Sequence, residues 1–246
     1  MNSFYLTLHS HGDSHIQMVN NVNHFNIHLG KKLNLPGAWE VGLVQILYPM
    51  TMPCITYPYS VFSVTHGMEH EIFELRSHYY YDNLGLIHDL GTLLSDLDIE
   101  VTLRGGHLQI QNLKRTNYKF MLHPKLLDIL GVESIDLGDE NDVLKAMNSV
   151  DVNRGLPQQL FVHTDIINYQ MVNNSFDNLL RVVPNNISSY KYGCTQEHSF
   201  HQIQYLPVAR DVIDSVAVYI KDSAGDDVSF DYGTLTVILH FRPRHG

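Results

Sequence analysis

Hydrophobic and polar positions alternate with a period of two through much of this chain, most cleanly in its closing segment, LTVILHFRPRHG. Leu235, Val237, Leu239 and Phe241 alternate there with Thr236, Ile238, His240 and Arg242, the pattern of a strand that turns one face to a core. Pro243 lacks the N–H that a ladder needs, so the strand should end on it. The same alternation predicts strands through Phe4, Leu6 and Leu8, and through Phe25, Ile27 and Leu29. Between Trp39 and Tyr48 the pattern changes phase. Trp39, Val41 and Leu43 share one face, and Val44, Ile46 and Tyr48 take the other. Such a break predicts a bulge near Gln45 or a strand buried on both sides.

Further along, Tyr59 to Val64 and Glu71 to Arg76 read as a hairpin around His66-Gly67. Ile99, Val101 and Leu103 face Leu108 and Ile110 across Gly105-Gly106, which supplies the positive φ of a tight turn. Tyr118, Phe120 and Leu122 predict another strand. Val216, Val218 and Ile220 predict one more, followed by a turn at Asp222 to Gly225 and paired with the terminal strand. Two stretches keep a helical period instead. Leu86, Leu90, Leu93, Leu94 and Leu97 predict an amphipathic helix from Asp82, its N-cap, to Leu97. Lys125 to Leu130 predicts a short helix closed by Gly131. Many short strands with two short helices predict an all-β protein, a sandwich with helical decoration.

Composition narrows the function. Cys54 and Cys194 are the only cysteines, too few for a disulfide framework or a four-thiolate zinc site. The opening segment has neither the basic flank nor the apolar core of a signal peptide, and no stretch reaches the ~18 apolar residues of a membrane span. A soluble protein without a membrane anchor is expected. A formal charge of −10 argues against strong nucleic-acid binding. The sixteen histidines, if all protonated, would more than cancel that charge, so mild acidification should reverse its sign.

Catalytic signatures are absent: there is no Gly-x-Ser-x-Gly elbow, no phosphate-binding glycine loop and no paired-cysteine motif. His9, His11 and His15 are the one weak metal candidate, in the style of a cupin, but the expected carboxylate is missing and Asp13 stands at the wrong offset. A polar surface loop accounts for them better, so no metal and no cofactor are expected. Asp139-Glu140 and Asp226-Asp227 fit turns, and Asp165 fits a structural hydrogen-bonding role. Trp39 should be a core residue. Arg181 should pair with an acidic residue of its own or a neighbouring subunit, and Tyr79, Tyr80 and Tyr81 could form a subunit contact.

An ordered series of blocks runs nearly end to end. It comprises Phe4 to Leu8, Leu35 to Leu43 with Tyr48-Pro49, Leu160 to Ile166, Leu179 to Val183, Tyr205 to Val208, Ile220 to Asp222 with Gly225, Val228 to Phe230, and Leu239 to Arg242. This series resembles the penton, or minor capsid, proteins of Polinton (Maverick) elements and related adintovirus-like and virophage-like viruses. Trp39, Glu40, Gly42, Tyr48, Pro49, Leu180, Arg181, His240, Phe241 and Arg242 carry the resemblance. It implies a single jelly-roll over residues 1–246, with two four-stranded antiparallel sheets and a helix-containing insertion at about 77–131. It further implies a structural, non-enzymatic virion protein. Homopentamers would sit at the five-fold vertices among double jelly-roll major capsid proteins. The His-rich loop after the first strand departs from the Ser and Asn usual in the family. A lectin-like attachment protein and a cupin-type metal enzyme are the alternatives.

Overall fold

In the computed structural model, which describes residues 2–11, 21–114, 116–138 and 142–244, the period-two segments are strands. In chain order they are β1 (Phe4–His9), β2 (His24–Asn34), β3 (Trp39–Pro49), β4 (Val61–His66) and β5 (Glu69–Glu74), then helix α1 (Asn83–Leu94). Next come β6 (Ile99–Arg104), β7 (His107–Asn112), β8 (Tyr118–Met121), helix α2 (Pro124–Leu130), β9 (Asp136–Leu137) and β10 (Val143–Ser149). The chain continues through β11 (Gln159–Thr164), β12 (Gln170–Val172), β13 (Ser175–Asp177), β14 (Leu179–Pro184) and β15 (Thr195–Ser199). It closes with β16 (Leu206–Pro207), β17 (Val212–Lys221) and β18 (Thr236–Pro243). Pairing between these strands is antiparallel throughout. The protein is therefore all-β in character, with two α-helices among the described residues.

The chain forms two compact units, Met1–Met52 with Pro157–Gly246, and Pro53–Leu156. In the first, one sheet runs β1-β18-β3-β15 with β16 also on β3, a second runs β14-β11-β17-β2, and β12 pairs with β13. Two four-stranded sheets were expected; the first here has five strands because β15 and β16 share one flank of β3. The expected pairing of β17 with the terminal strand does not form. β17 lies between β11 and β2, and β18 between β1 and β3. The connection from Asp222 to Leu235 carries the chain from one sheet to the other. Asp222 Oδ1 shapes its turn by accepting from the Ala224 and Asp226 N–H groups at 2.8 and 3.0 Å, and the Asp231 N–H reaches the Thr51 carbonyl at 2.9 Å.

The phase break in β3 is a bulge. Gln45 pairs with Ile238 and Leu43 with Leu239, so Val44 is the extra residue. Trp39, Val41 and Leu43 are buried before it, and Ile46 and Tyr48 after it. From β18, Val237, Leu239 and Phe241 join this core. Phe25, Leu160, Val162, Leu180, Val183, Val216, Val218 and Ile220 supply the buried row of the second sheet. Tyr48, on the first sheet, donates its hydroxyl to Asn185 Oδ1 just beyond β14 at 3.2 Å, and burial pushes its pKa up to about 12.

The second unit has one sheet in the order β5-β4-β8-β9 and another in the order β10-β7-β6. Asp82 Oδ1 caps α1 by accepting from Gly85 N–H at 2.8 Å. Leu86, Ile87, Leu90 and Leu94 are the buried face of α1. Gly131 closes α2 at φ 74°, and Gly105 and Gly106 turn the β6–β7 hairpin at φ 58° and 84°. Asn112, fully buried at the end of β7, donates to the Thr116 and Gly138 carbonyls and accepts from Lys114 N–H, at 2.8, 2.7 and 2.9 Å. That satisfies a polar side chain which would otherwise be costly to bury.

Candidate functional site

Alternation along β18 sends Leu239 and Phe241 into the core and leaves His240 and Arg242 on the opposite face. Register then places Tyr5 of β1 and Gly42 of β3 beside His240, and Glu40 beside Arg242. Here five of the residues that carry the family resemblance, Glu40, Gly42, His240, Arg242 and the buried Phe241 beneath them, form one contiguous structure.

Its upper layer is the segment from Phe200 to Tyr205, which crosses the outer face of the sheet. The Tyr205 hydroxyl lies 2.7 Å from His240 Nδ1. Burial first, and the nearby Arg242 charge second, lower the His240 pKa. The neutral imidazole is thus favoured at pH 7, and its Nδ1 shares one hydrogen bond with the Tyr205 hydroxyl. Tyr5 packs on the other side of that imidazole, ring centres 4.6 Å apart. The Arg242 guanidinium lies 3.6 Å from the centre of the Tyr205 ring and donates through Nε to Glu40 Oε1, a cation–π contact held in orientation by a carboxylate.

Gly42 makes the crossing possible. A β-carbon there would stand 2.6 Å from the Gln204 carbonyl oxygen, a distance that forbids any side chain. At the other end of the segment, Arg181 on β14 lies 4.4 Å from the centre of the Phe200 ring and donates to Gln204 Oε1 at 3.2 Å. Among the described residues of its own chain, Arg181 thus meets an aromatic face and an amide, as Phe200 to Gln204 pass its guanidinium.

The other residues singled out from the sequence are distributed as follows. Trp39 is buried, donates from Nε1 to the Pro36 carbonyl at 3.2 Å and packs on Phe4 with ring centres 5.9 Å apart. Phe241 stacks on Phe4 at 5.0 Å. Leu180 is buried, and Pro49 is buried against Gly233, where a β-carbon would come within 2.5 Å of it. Asp165 has a structural role, accepting from the Ala217 N–H at 2.8 Å and from Arg210. Tyr80 is buried within its own unit; its hydroxyl donates to Asp89 at 3.0 Å, and burial is the main cause of its raised pKa. Tyr79 and the exposed Tyr81 meet edge to face, ring centres 5.2 Å apart.

His9 Nδ1 is 2.8 Å from Thr236 Oγ1, and His11 Nδ1 is 3.3 Å from both Thr234 Oγ1 and Ser10 Oγ. Each imidazole is engaged at Nδ1 by a hydroxyl. His15, Asp13, Asp139 and Glu140 lie outside the described residues.

Sequence reading missed Tyr5 and the role of Tyr205 in this cluster. The signal was present, since Tyr205 opens one of the ordered blocks and Tyr5 lies in another. Only the pairing register brings them to His240.

What the arrangement offers is recognition chemistry. Tyr5 remains 64% exposed, and the Arg242 side chain is 46% exposed. Tyrosine and arginine presented on a rigid sheet are the residue types that dominate protein interfaces.

No protein-family model matches the sequence, and no curated protein matches it. The fold is nevertheless similar to solved structures. The crystal structure of the mavirus penton protein aligns with a TM-score of 0.57 at 10% identity, covering 98% of this chain and 99% of that one. A chain of the Sputnik virophage, solved by cryo-EM, aligns with a TM-score of 0.51 at 10% identity, covering 98% of each chain. The chain has the fold of these virophage proteins along almost its whole length.

Proposed function

We propose that this chain is a structural capsid protein of a virophage-like or Polinton-like particle, a penton that assembles as a homopentamer at the five-fold vertices. The observation that carries the proposal is the end-to-end similarity of fold to the mavirus penton protein, which spans both compact units. The ordered sequence blocks support it independently, since Glu40, Gly42, His240 and Arg242 come together in one cluster.

On this reading the two larger sheets of the first unit are the two sheets of a single jelly-roll. Its loops and edges meet the neighbouring subunits and a double jelly-roll major capsid protein. A closed five-fold ring is heterologous, so two different surfaces of each subunit must be complementary. Catalysis has no part in it. Light scattering of the purified chain at neutral pH tests the reading: a mass of five chains is expected, and a monomer that persists at high concentration overturns it.

A further inference from the structure

The tip of the β4–β5 hairpin gathers three potential metal ligands that neither the proposed role nor the capsid resemblance uses. His66 ends β4, Glu69 begins β5, and the two are directly paired; Glu71 pairs with Val64, one step along the same face. Alternation therefore puts His66, Glu69 and Glu71 on one side of the hairpin, whereas His70 points to the other and meets Thr65 at 3.0 Å.

The three donor atoms lie within 4.8 Å of one another. His66 Nε2 is 2.9 Å from Glu71 Oε1 and 3.5 Å from Glu69 Oε2. Zinc bonds to imidazole nitrogen and carboxylate oxygen are about 2.0–2.2 Å long, so tetrahedral ligands stand roughly 3.3 Å apart. The two observed separations bracket that value. The imidazole is also held in place. Its side chain is only 16% exposed and packs on Tyr118 with ring centres 5.4 Å apart. Tyr118 is fixed in turn by donating its hydroxyl to the Leu97 carbonyl at 2.7 Å.

Two carboxylates converging on one ring nitrogen exceed what that nitrogen can satisfy. A single N–H serves one of them well, and the second adds repulsion in a chain already at −10. A divalent cation in place of that proton engages all three groups at once.

We infer that His66, Glu69 and Glu71 form a binding site for a divalent metal ion of the zinc type, which clips the hairpin tip and leaves its fourth position to water. One imidazole with two carboxylates favours zinc over magnesium and calcium, which prefer all-oxygen sets.

Isothermal titration of zinc chloride into the full chain tests the site, with His66→Ala, Glu71→Gln and His70→Ala as variants. His70→Ala controls for the general affinity of a histidine-rich surface. The expected result is one site per chain that weakens by roughly tenfold or more in His66→Ala and in Glu71→Gln, is unchanged in His70→Ala, and is not displaced by magnesium. Wild-type and His66→Ala isotherms that superimpose, or equal losses in all three variants, would overturn it.

Discussion

Gly42 lies directly beneath the backbone at Gln204: a β-carbon at position 42 would stand 2.6 Å from the Gln204 carbonyl oxygen and 2.4 Å from Ile203 Cγ2. The crossing segment can come this close to the sheet at Gly42 because residue 42 has no side chain. Gly42→Ala should therefore lift Ile203 to Tyr205 away from β3, at a cost of about 1–3 kcal/mol. Chemical denaturation of the variant against wild type measures it. Unchanged stability would mean that the segment is not seated on the sheet.

The layer above Gly42 predicts a coupling. Arg242 contacts both the Tyr205 ring and Glu40, and its partial exposure keeps the worth of these contacts modest. Arg242→Ala should cost about 1 kcal/mol, and Tyr205→Phe should cost a similar amount through loss of the hydroxyl bonded to His240. Because Arg242 and Tyr205 touch, a double-mutant cycle between Arg242→Ala and Tyr205→Ala should be non-additive. Strict additivity would contradict the geometry.

A steric test exists in the second unit as well. A β-carbon at Gly155 would sit 1.8 Å from the Cys54 carbonyl oxygen, a backbone atom, and its own place is fixed by the backbone. Neither can swing aside, so Gly155→Ala should cost about 3 kcal/mol, at the upper end for overpacking. Hydrogen exchange should show the loss concentrated in Pro53–Leu156. Wild-type protection there would refute it.

Much of this arrangement was legible in the sequence, and the parts that were not share a physical cause. The bulge at Val44 follows from the phase break between Leu43 and Ile46, and both helices follow from their caps at Asp82 and Gly131. Features set by local backbone chemistry could be read directly. The edge strand β15, Thr-Gln-Glu-His-Ser, carries no apolar alternation because it buries no side chain on either face, and β12 and β13 are too short for a period to register. The hydrogen-bond partners of Arg181 and His240 in the crossing segment lie 23 and 35 residues away in sequence; no spacing rule encodes them. The expected β17–β18 hairpin failed for the same reason, since proximity in sequence could not tell pairing from a crossover between sheets.

Two histidines make stability depend on pH. Burial is the main cause that lowers the pKa of His163, against the opposing pull of Asp177 at 3.2 Å, and burial followed by Arg242 lowers that of His240. A histidine whose folded pKa lies below its unfolded value of about 6.5 binds more protons when unfolded. Its contribution is complete above that pH and is lost as pH falls from there to the folded pKa. Melting temperatures should decline below about pH 6.5, and His163→Gln should decline less steeply through that window. Parallel profiles would remove His163 from the account.

A penton of the proposed kind closes into a five-membered ring. Negative-stain electron microscopy of the purified protein at neutral pH tests it most directly. Class averages with five-fold symmetry and a central axis are the predicted result, and fields of single particles the size of one chain, or rings of any other order, would contradict it.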